Sequence, residues 1–264
     1  MTKTLKELNL EDDFLFAKVM SDKEICKEFL EKLLGIEIEK IEMPENQKTI
    51  DLLLQSKGIR LDIYVKDENN TVYNVEMQRG KHRNLPKRLR YYQGNIDLDL
   101  ISKGEDYRKL AKSYIIFICT FDLFGAGRHK YTFETVCVED NNIKLKDDTN
   151  KIILNTTGVI KDLSEELIDF LEYIEHSNSE IAENSRGTLV KNIHKRVIEV
   201  KNNPKVEVEF MTLLERDREK LEEGIKEGIK EVAIKLLDIL DDKTISEKTG
   251  LDIEIVKKLR KENL

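Results

Sequence analysis

Ile59-Arg60-Leu61-Asp62-Ile63-Tyr64-Val65 and Val72-Tyr73-Asn74-Val75-Glu76-Met77-Gln78 are two alternating runs joined through Asp67-Glu68-Asn69-Asn70. In the first arm Ile59, Leu61, Ile63 and Val65 alternate with polar or amphipathic residues, the period of a half-buried strand. In the second, Tyr73, Val75 and Met77 fall on one side and Asn74, Glu76 and Gln78 on the other. The residues between them are few, charged and tolerant of tight turns. The pattern predicts a β-hairpin in which Asp62 faces away from the aliphatic stripe of its own strand. A turn centred on Asn69 sets the register: Tyr64 opposite Asn74, Asp62 opposite Glu76, Arg60 opposite Gln78.

Two carboxylates then meet across the strands. Directly opposed side chains have Cβ atoms about 5 Å apart, and like charges there are unfavourable. At an effective dielectric of 20 the repulsion is roughly 3 kcal/mol. A divalent cation turns that penalty into a site, and Mg2+ suits it, because one or two carboxylates plus waters and phosphate oxygens are its usual ligands.

The order Arg60-Leu61-Asp62-Ile63-Tyr64-Val65, short turn, Asn74-Val75-Glu76-Met77-Gln78 resembles the PD-(D/E)XK nuclease core, specifically the recombination-promoting nuclease or putative transposase family. The resemblance continues through Asp13-Phe14, Phe16 and Lys18, then Arg90-Tyr91-Tyr92-Gln93 and Gly104-Glu105-Asp106-Tyr107. Further matches are the strand at 114–121 and Leu123-Phe124 after it, and the resemblance covers nearly the whole chain. It implies an α/β fold with a restriction-endonuclease-like core: a mixed central sheet flanked by helices, carrying a helical C-terminal appendage. It also implies a metal-dependent DNA endonuclease tied to recombination or mobile elements, in a bacterial cytoplasm. Asp62 and Glu76 would be ligands of Mg2+ (or Mn2+), with the backbone carbonyl of Met77 as a third. The common family pattern has lysine where this chain has Gln78, which can position a water or touch a phosphate oxygen but brings no positive charge. Asp13 is a candidate for an additional acid, or else a helix cap. The rival reading is a catalytically silent DNA-binding or assembly protein of a mobile element, and a purely structural α/β domain is a third.

Composition bounds the answer. The 264 residues, 39% of them hydrophobic, suffice for one domain of about 200 residues and an appendage. The expected division is 1–203, with a core at about 10–176, and 204–264. No segment approaches the roughly 18 apolar residues of a membrane span, and Met1-Thr2-Lys3-Thr4-Leu5-Lys6 has no apolar signal region, so no membrane partner is expected. Cys26, Cys119 and Cys137 lack CxxC spacing and read as buried reduced thiols, while the four histidines are scattered.

A formal net charge of -7 argues against a nucleic-acid partner until its distribution is considered. From 81 to 93 the chain carries Lys81, Arg83, Lys87, Arg88 and Arg90 with no acid, directly after the second carboxylate strand. The spacing predicts a helix burying Leu89, Tyr92, Ile96 and Leu100, with Arg83, Lys87 and Arg90 on a different face. Those three, with Gln93, are the candidate DNA contacts; the bland readings are a solvated face and, for Gln93, a core-edge polar residue.

Outward from the hairpin, a helix is expected at 24–34 with Gly35 as its stop, and a strand at 49–54 turning through Ser56-Lys57-Gly58. The continuous apolar run at 114–119 reads as a strand buried on both faces. Strands at 131–138 and 151–155 and a helix at 163–176 follow. Residues 206–240 read as one long helix, its apolar stripe of Val208, Met211, Leu214, Leu221, Ile225, Val232, Leu236 and Leu240 lacking an obvious partner. The stripe predicts a homodimer through the C-terminal helices, or a fold back onto its own chain. The end, Thr244 to Arg260, reads as helix, glycine turn, helix: half of a helix-turn-helix or a plain hairpin, with Asp252 and Glu254 placing acid where a recognition helix would contact DNA.

Overall fold

The apolar run becomes β6 (Ser113–Cys119), whose residues 115–119 are completely buried. Parallel neighbours flank it, β5 (Val72–Gln78) and β8 (Thr149–Asn155), so both edges of the strand are hydrogen-bonded. Antiparallel strands complete the sheet: β4 (Ile63–Asp67) on β5, β1 (Ile41–Glu42) on β4, and β7 (Lys130–Phe133) on β8. The order is β1-β4-β5-β6-β8-β7, and a separate ribbon pairs β2 (Thr49–Ile50) with β3 (Ile59–Arg60). This computed structural model describes residues 3–43, 49–50, 59–80 and 84–263. The expected extension of the 49–54 strand and its turn at 56–58 lie outside them.

Helices cover both faces, as a sheet with two apolar sides requires. On one, α3 (Leu85–Leu100) buries Leu85, Leu89, Tyr92 and Ile96 against Val72, Ile115, Phe117 and Ile153. The other carries Tyr73, Val75 and Met77, all buried. Here α1 (Asp13–Met20) packs on β5 and joins α2 (Lys23–Leu34) and α6 (Leu189–Lys201); α6 also meets α4 (Glu165–Glu175) and α5 (Ser179–Asn184). Gly35 ends α2 at φ 66°, a left-handed conformation that a Cβ would strain. The architecture is the mixed α/β fold read from the sequence.

One strand is shorter than its alternation suggested. β7 stops at Phe133, and the residues beyond turn back on themselves: Cys137 N–H donates to Ile143 O and Leu145 N–H to Thr135 O. The alternation at 134–138 thus serves a local hairpin that leaves Val138 86% exposed.

The chain divides into two compact units, Met1–Asn203 and Pro204–Leu264. In the second, α7 (Pro204–Leu236), α8 (Asp242–Thr249) and α9 (Ile253–Asn263) close a small core of Ala233, Leu237, Ile245 and Val256. Gly250 makes the turn at φ 74°, and Asp252 caps α9 by accepting from Glu254 N–H. Among the described residues no helix is long and apolar enough to cross a membrane.

Candidate active site

The hairpin forms in the expected register over its inner part: Lys66 pairs with Val72, Val65 with Tyr73, Tyr64 with Asn74, Ile63 with Val75. Its turn is held by Asp67, whose carboxylate accepts from Asn69 N–H (2.9 Å), Thr71 N–H (2.8 Å) and the Tyr73 hydroxyl (2.8 Å). Then the ladder breaks. At Asp62 the chain bends, and side chains take over where backbone pairing stops: Asp62 N–H donates to Glu76 Oε1 (3.1 Å), and Met77 N–H donates to Asp62 Oδ2 (3.1 Å). The two carboxylates interlock the strands instead of standing side by side on a continuous ladder. The bend carries two corrections. Arg60 pairs with Thr49 rather than Gln78, and Leu61 joins Tyr64 in the core beneath α3 instead of sharing a face with Ile63.

The site lies at the C-terminal ends of parallel strands, where open α/β sheets place their ligands. Glu76 is 2% exposed. Burial, and then the neighbouring Asp62 charge, pushes its carboxyl well above the ordinary carboxylate range; the Asp62 N–H, Asn74 and Arg88 oppose the shift. Asn74, one pleat earlier on the same face, is completely buried; its amide lies close enough to Glu76 to hold that carboxyl down, and among the described residues it closes no hydrogen bond of standard geometry. A buried amide with hydrogen-bonding capacity to spare, beside a buried carboxylate, suits a water or an ion.

Gln78 completes this face from β5. Its amide nitrogen donates to Met77 O (2.7 Å) and its oxygen accepts from Arg88 Nη1 (2.7 Å), while Arg88 Nη2 donates to the Tyr92 hydroxyl (2.9 Å). The guanidinium lies over the rings of Tyr92 and Phe117, 5.5 and 5.9 Å from their centroids. Arg88 was not among the candidates read from the sequence. The available signal was its place one helical turn before Tyr92, on the apolar side of α3, with Leu85, Leu89 and Ile96.

The remaining candidates separate. Lys87 and Arg90 are exposed on α3, and Arg83 lies outside the described residues. Gln93 is a core-edge residue: 7% exposed, its amide donates to Ser113 Oγ (2.9 Å) and Asp97 Oδ1 (2.8 Å). Ser113 is four residues along β6 from Phe117, the partner of Glu76, which sets it roughly 13 Å from the carboxylates. Asp13 is the first residue of α1, and the cap is Asp12, which accepts from Phe14 N–H. Desolvation and Asp12 raise the Asp13 carboxyl, and Arg79 and Arg88 oppose them. Among the described residues no three His, Cys, Asp or Glu side chains gather as a ready-made metal cluster. Met77 O already accepts the Gln78 amide, which leaves it one lone pair.

These groups fit a hard divalent cation that keeps several waters: two carboxylates, a carbonyl lone pair and a buried amide close by. They offer no histidine or cysteine ligand, which Zn2+ sites ordinarily include. In comparisons with known proteins, neither the curated proteins nor the solved structures gave a match. The family model described as PD-(D/E)XK nuclease family transposase matches residues 11–226, from the N-cap region of α1 through the hairpin and into α7. With most of its length covered by that model, the chain belongs to the PD-(D/E)XK nuclease family transposases.

Proposed function

We propose that the protein is a divalent-metal-dependent DNA endonuclease that hydrolyses phosphodiester bonds at the Asp62–Glu76 pair. The observation that carries the reading is Glu76, an acid buried at 2% exposure beside a second carboxylate, an arrangement that costs stability unless a cation is shared. Asp62 and Glu76 would hold Mg2+ or Mn2+, with Met77 O as an additional ligand. When bound, the cation supplies a water of lowered pKa and offsets charge on the phosphate. The chain's own contribution is positional: the two interlocking hydrogen bonds fix both carboxylates, and Gln78 sits at the next pleat where it can orient a water or phosphate oxygen. Supercoiled plasmid incubated with purified protein should be nicked or linearised with Mg2+ or Mn2+ and remain intact with EDTA. Intact plasmid under all conditions, together with retained DNA binding, would favour a catalytically silent DNA-binding role instead.

The exposed Lys87 and Arg90 are the described part of the proposed phosphate-binding face. Replacing both with Ala should weaken DNA binding about three- to tenfold at moderate salt and reduce the slope of log affinity against log salt by up to about two, since each phosphate contact releases a counterion. Metal affinity should not change. An unaltered slope would move the DNA elsewhere on the protein.

The second unit is proposed to pair two copies, which would set two active sites on opposite strands of a duplex. Support comes from Leu221, Ile225 and Val232, 65%, 53% and 52% exposed and spaced by four and seven along α7. Leu221→Glu with Ile225→Glu should convert a dimer to a monomer in light scattering at micromolar concentration. A wild-type chain that is monomeric there would end the dimer reading.

A further inference from the structure

β5, the strand that carries Glu76, holds no lysine or arginine, so it supplies no positive charge for a phosphate bound beside the carboxylate pair. We propose that Arg88 supplies that positive charge from α3, contacting the scissile phosphate, and that Gln78 is the positioning residue that holds its guanidinium there. The inference rests on the nuclease reading and names a residue for the same reaction.

Three features single out Arg88. Gln78 is held at both ends: its amide nitrogen is anchored on Met77 O and its oxygen is turned to Arg88, so the side chain works as a bracket between strand and helix. The guanidinium is fixed in plane by Tyr92 and Phe117, and among the described residues Gln78 and Tyr92 take two of its five N–H donors. That leaves a fork suited to phosphate oxygens. It also lies at the carboxylate strand: Gln78 is two residues along β5 from Glu76, and Phe117, under the guanidinium, is the β6 partner of Glu76.

The other cations nearby are disposed differently. Arg79 is paired with Asp12 at 3.1 Å, and Lys87 and Arg90 are exposed on α3. A fixed guanidinium where negative charge develops on the phosphate lowers the barrier without reorganisation at the moment of reaction. Glutamine is then a fitting residue at 78, because a lysine there could not accept the Arg88 hydrogen bond and would repel it.

The test is a rescue. Arg88→Met keeps a flexible apolar stem against Tyr92 and Phe117 and removes the charge. Its kcat for plasmid cleavage in Mg2+ should fall about 10²- to 10³-fold, while KM and the DNA affinity measured in EDTA change less than about threefold. Adding Gln78→Lys to Arg88→Met should restore at least tenfold of the lost rate, by returning a cation to β5. Arg88→Lys, which keeps the charge and serves if the methionine variant does not fold, should stay within about tenfold of wild type. Cleavage by Arg88→Met at the wild-type rate overturns the proposal. So does a folded Arg88→Lys as inactive as the methionine variant, or a folded double variant with no recovery. A wild-type chain that cuts nothing is a different failure, because it sinks the nuclease reading and this inference with it.

Discussion

Asp62→Asn and Glu76→Gln should each lower divalent-dependent cleavage of plasmid DNA by roughly 10³-fold or more, with circular dichroism unchanged. These substitutions keep the shape of each side chain and remove one negative charge apiece. An amide oxygen at 62 can still accept from Met77 N–H, and one at 76 from Asp62 N–H, so the interlock of β5 with the bend at Asp62 survives. What is lost is the charge that makes the pair attractive to a cation. Because the two residues act on one ion, the double variant should be little worse than either single one, as groups that work as a unit are not additive. Wild-type cleavage by both variants, in preparations free of contaminating nuclease, would show that the chemistry lies elsewhere.

Glu76→Gln should also stabilise the metal-free protein at neutral pH, by up to about 3 kcal/mol, the scale of like-charge repulsion at an effective dielectric of 20. The sign follows from linkage. The folded protein holds the Glu76 proton more tightly than the unfolded chain does, because burial and Asp62 raise the carboxyl in the folded state. Between the ordinary glutamate range and that elevated value the folded state therefore carries more protons. Stability must fall as pH rises through this window. Below it both states are protonated and the penalty is absent; above it the penalty is complete. Asp13 is raised as well and acts in the same direction, so the difference between wild type and variant, rather than the wild-type curve alone, isolates Glu76. Denaturant unfolding in EDTA from pH 4 to 8 should give a flatter curve for Glu76→Gln, with the gap widening toward high pH. Mg2+ should close that gap, since it binds the folded wild type and not the variant. Parallel curves would mean that Glu76 is not strained by its site.

The hairpin was legible in the sequence because alternation and turn chemistry are local signals. Asp67 and the residues after it centre the turn, and the register from Ile63 to Lys66 follows. The bend at Asp62 was not legible. It depends on side chains from one strand replacing backbone pairing on the other, a contact between residues fourteen and fifteen positions apart that no alternation encodes. The same limit explains Gln93 and Arg88. Both lie on the core side of α3, five residues apart, and helical spacing alone gives them equal claims on the site. Only the direction in which α3 crosses β5 and β6 brings Arg88 to Gln78 and sends Gln93 to Ser113. The short β7 is a further case, for alternation at 134–138 is equally compatible with a sheet edge and with a self-paired hairpin.

Titration calorimetry with Mn2+, on the wild type and on the Asp62→Asn, Glu76→Gln double variant, measures the metal site without any substrate. The wild type should bind the ion at the carboxylate pair, with an affinity that falls as pH is lowered, because both carboxylates bind in ionised form and burial beside Asp62 makes Glu76 hold its proton more tightly than an ordinary glutamate. The double variant should show no such binding at any pH. Equal heats from both proteins would mean that Asp62 and Glu76 do not form a metal site.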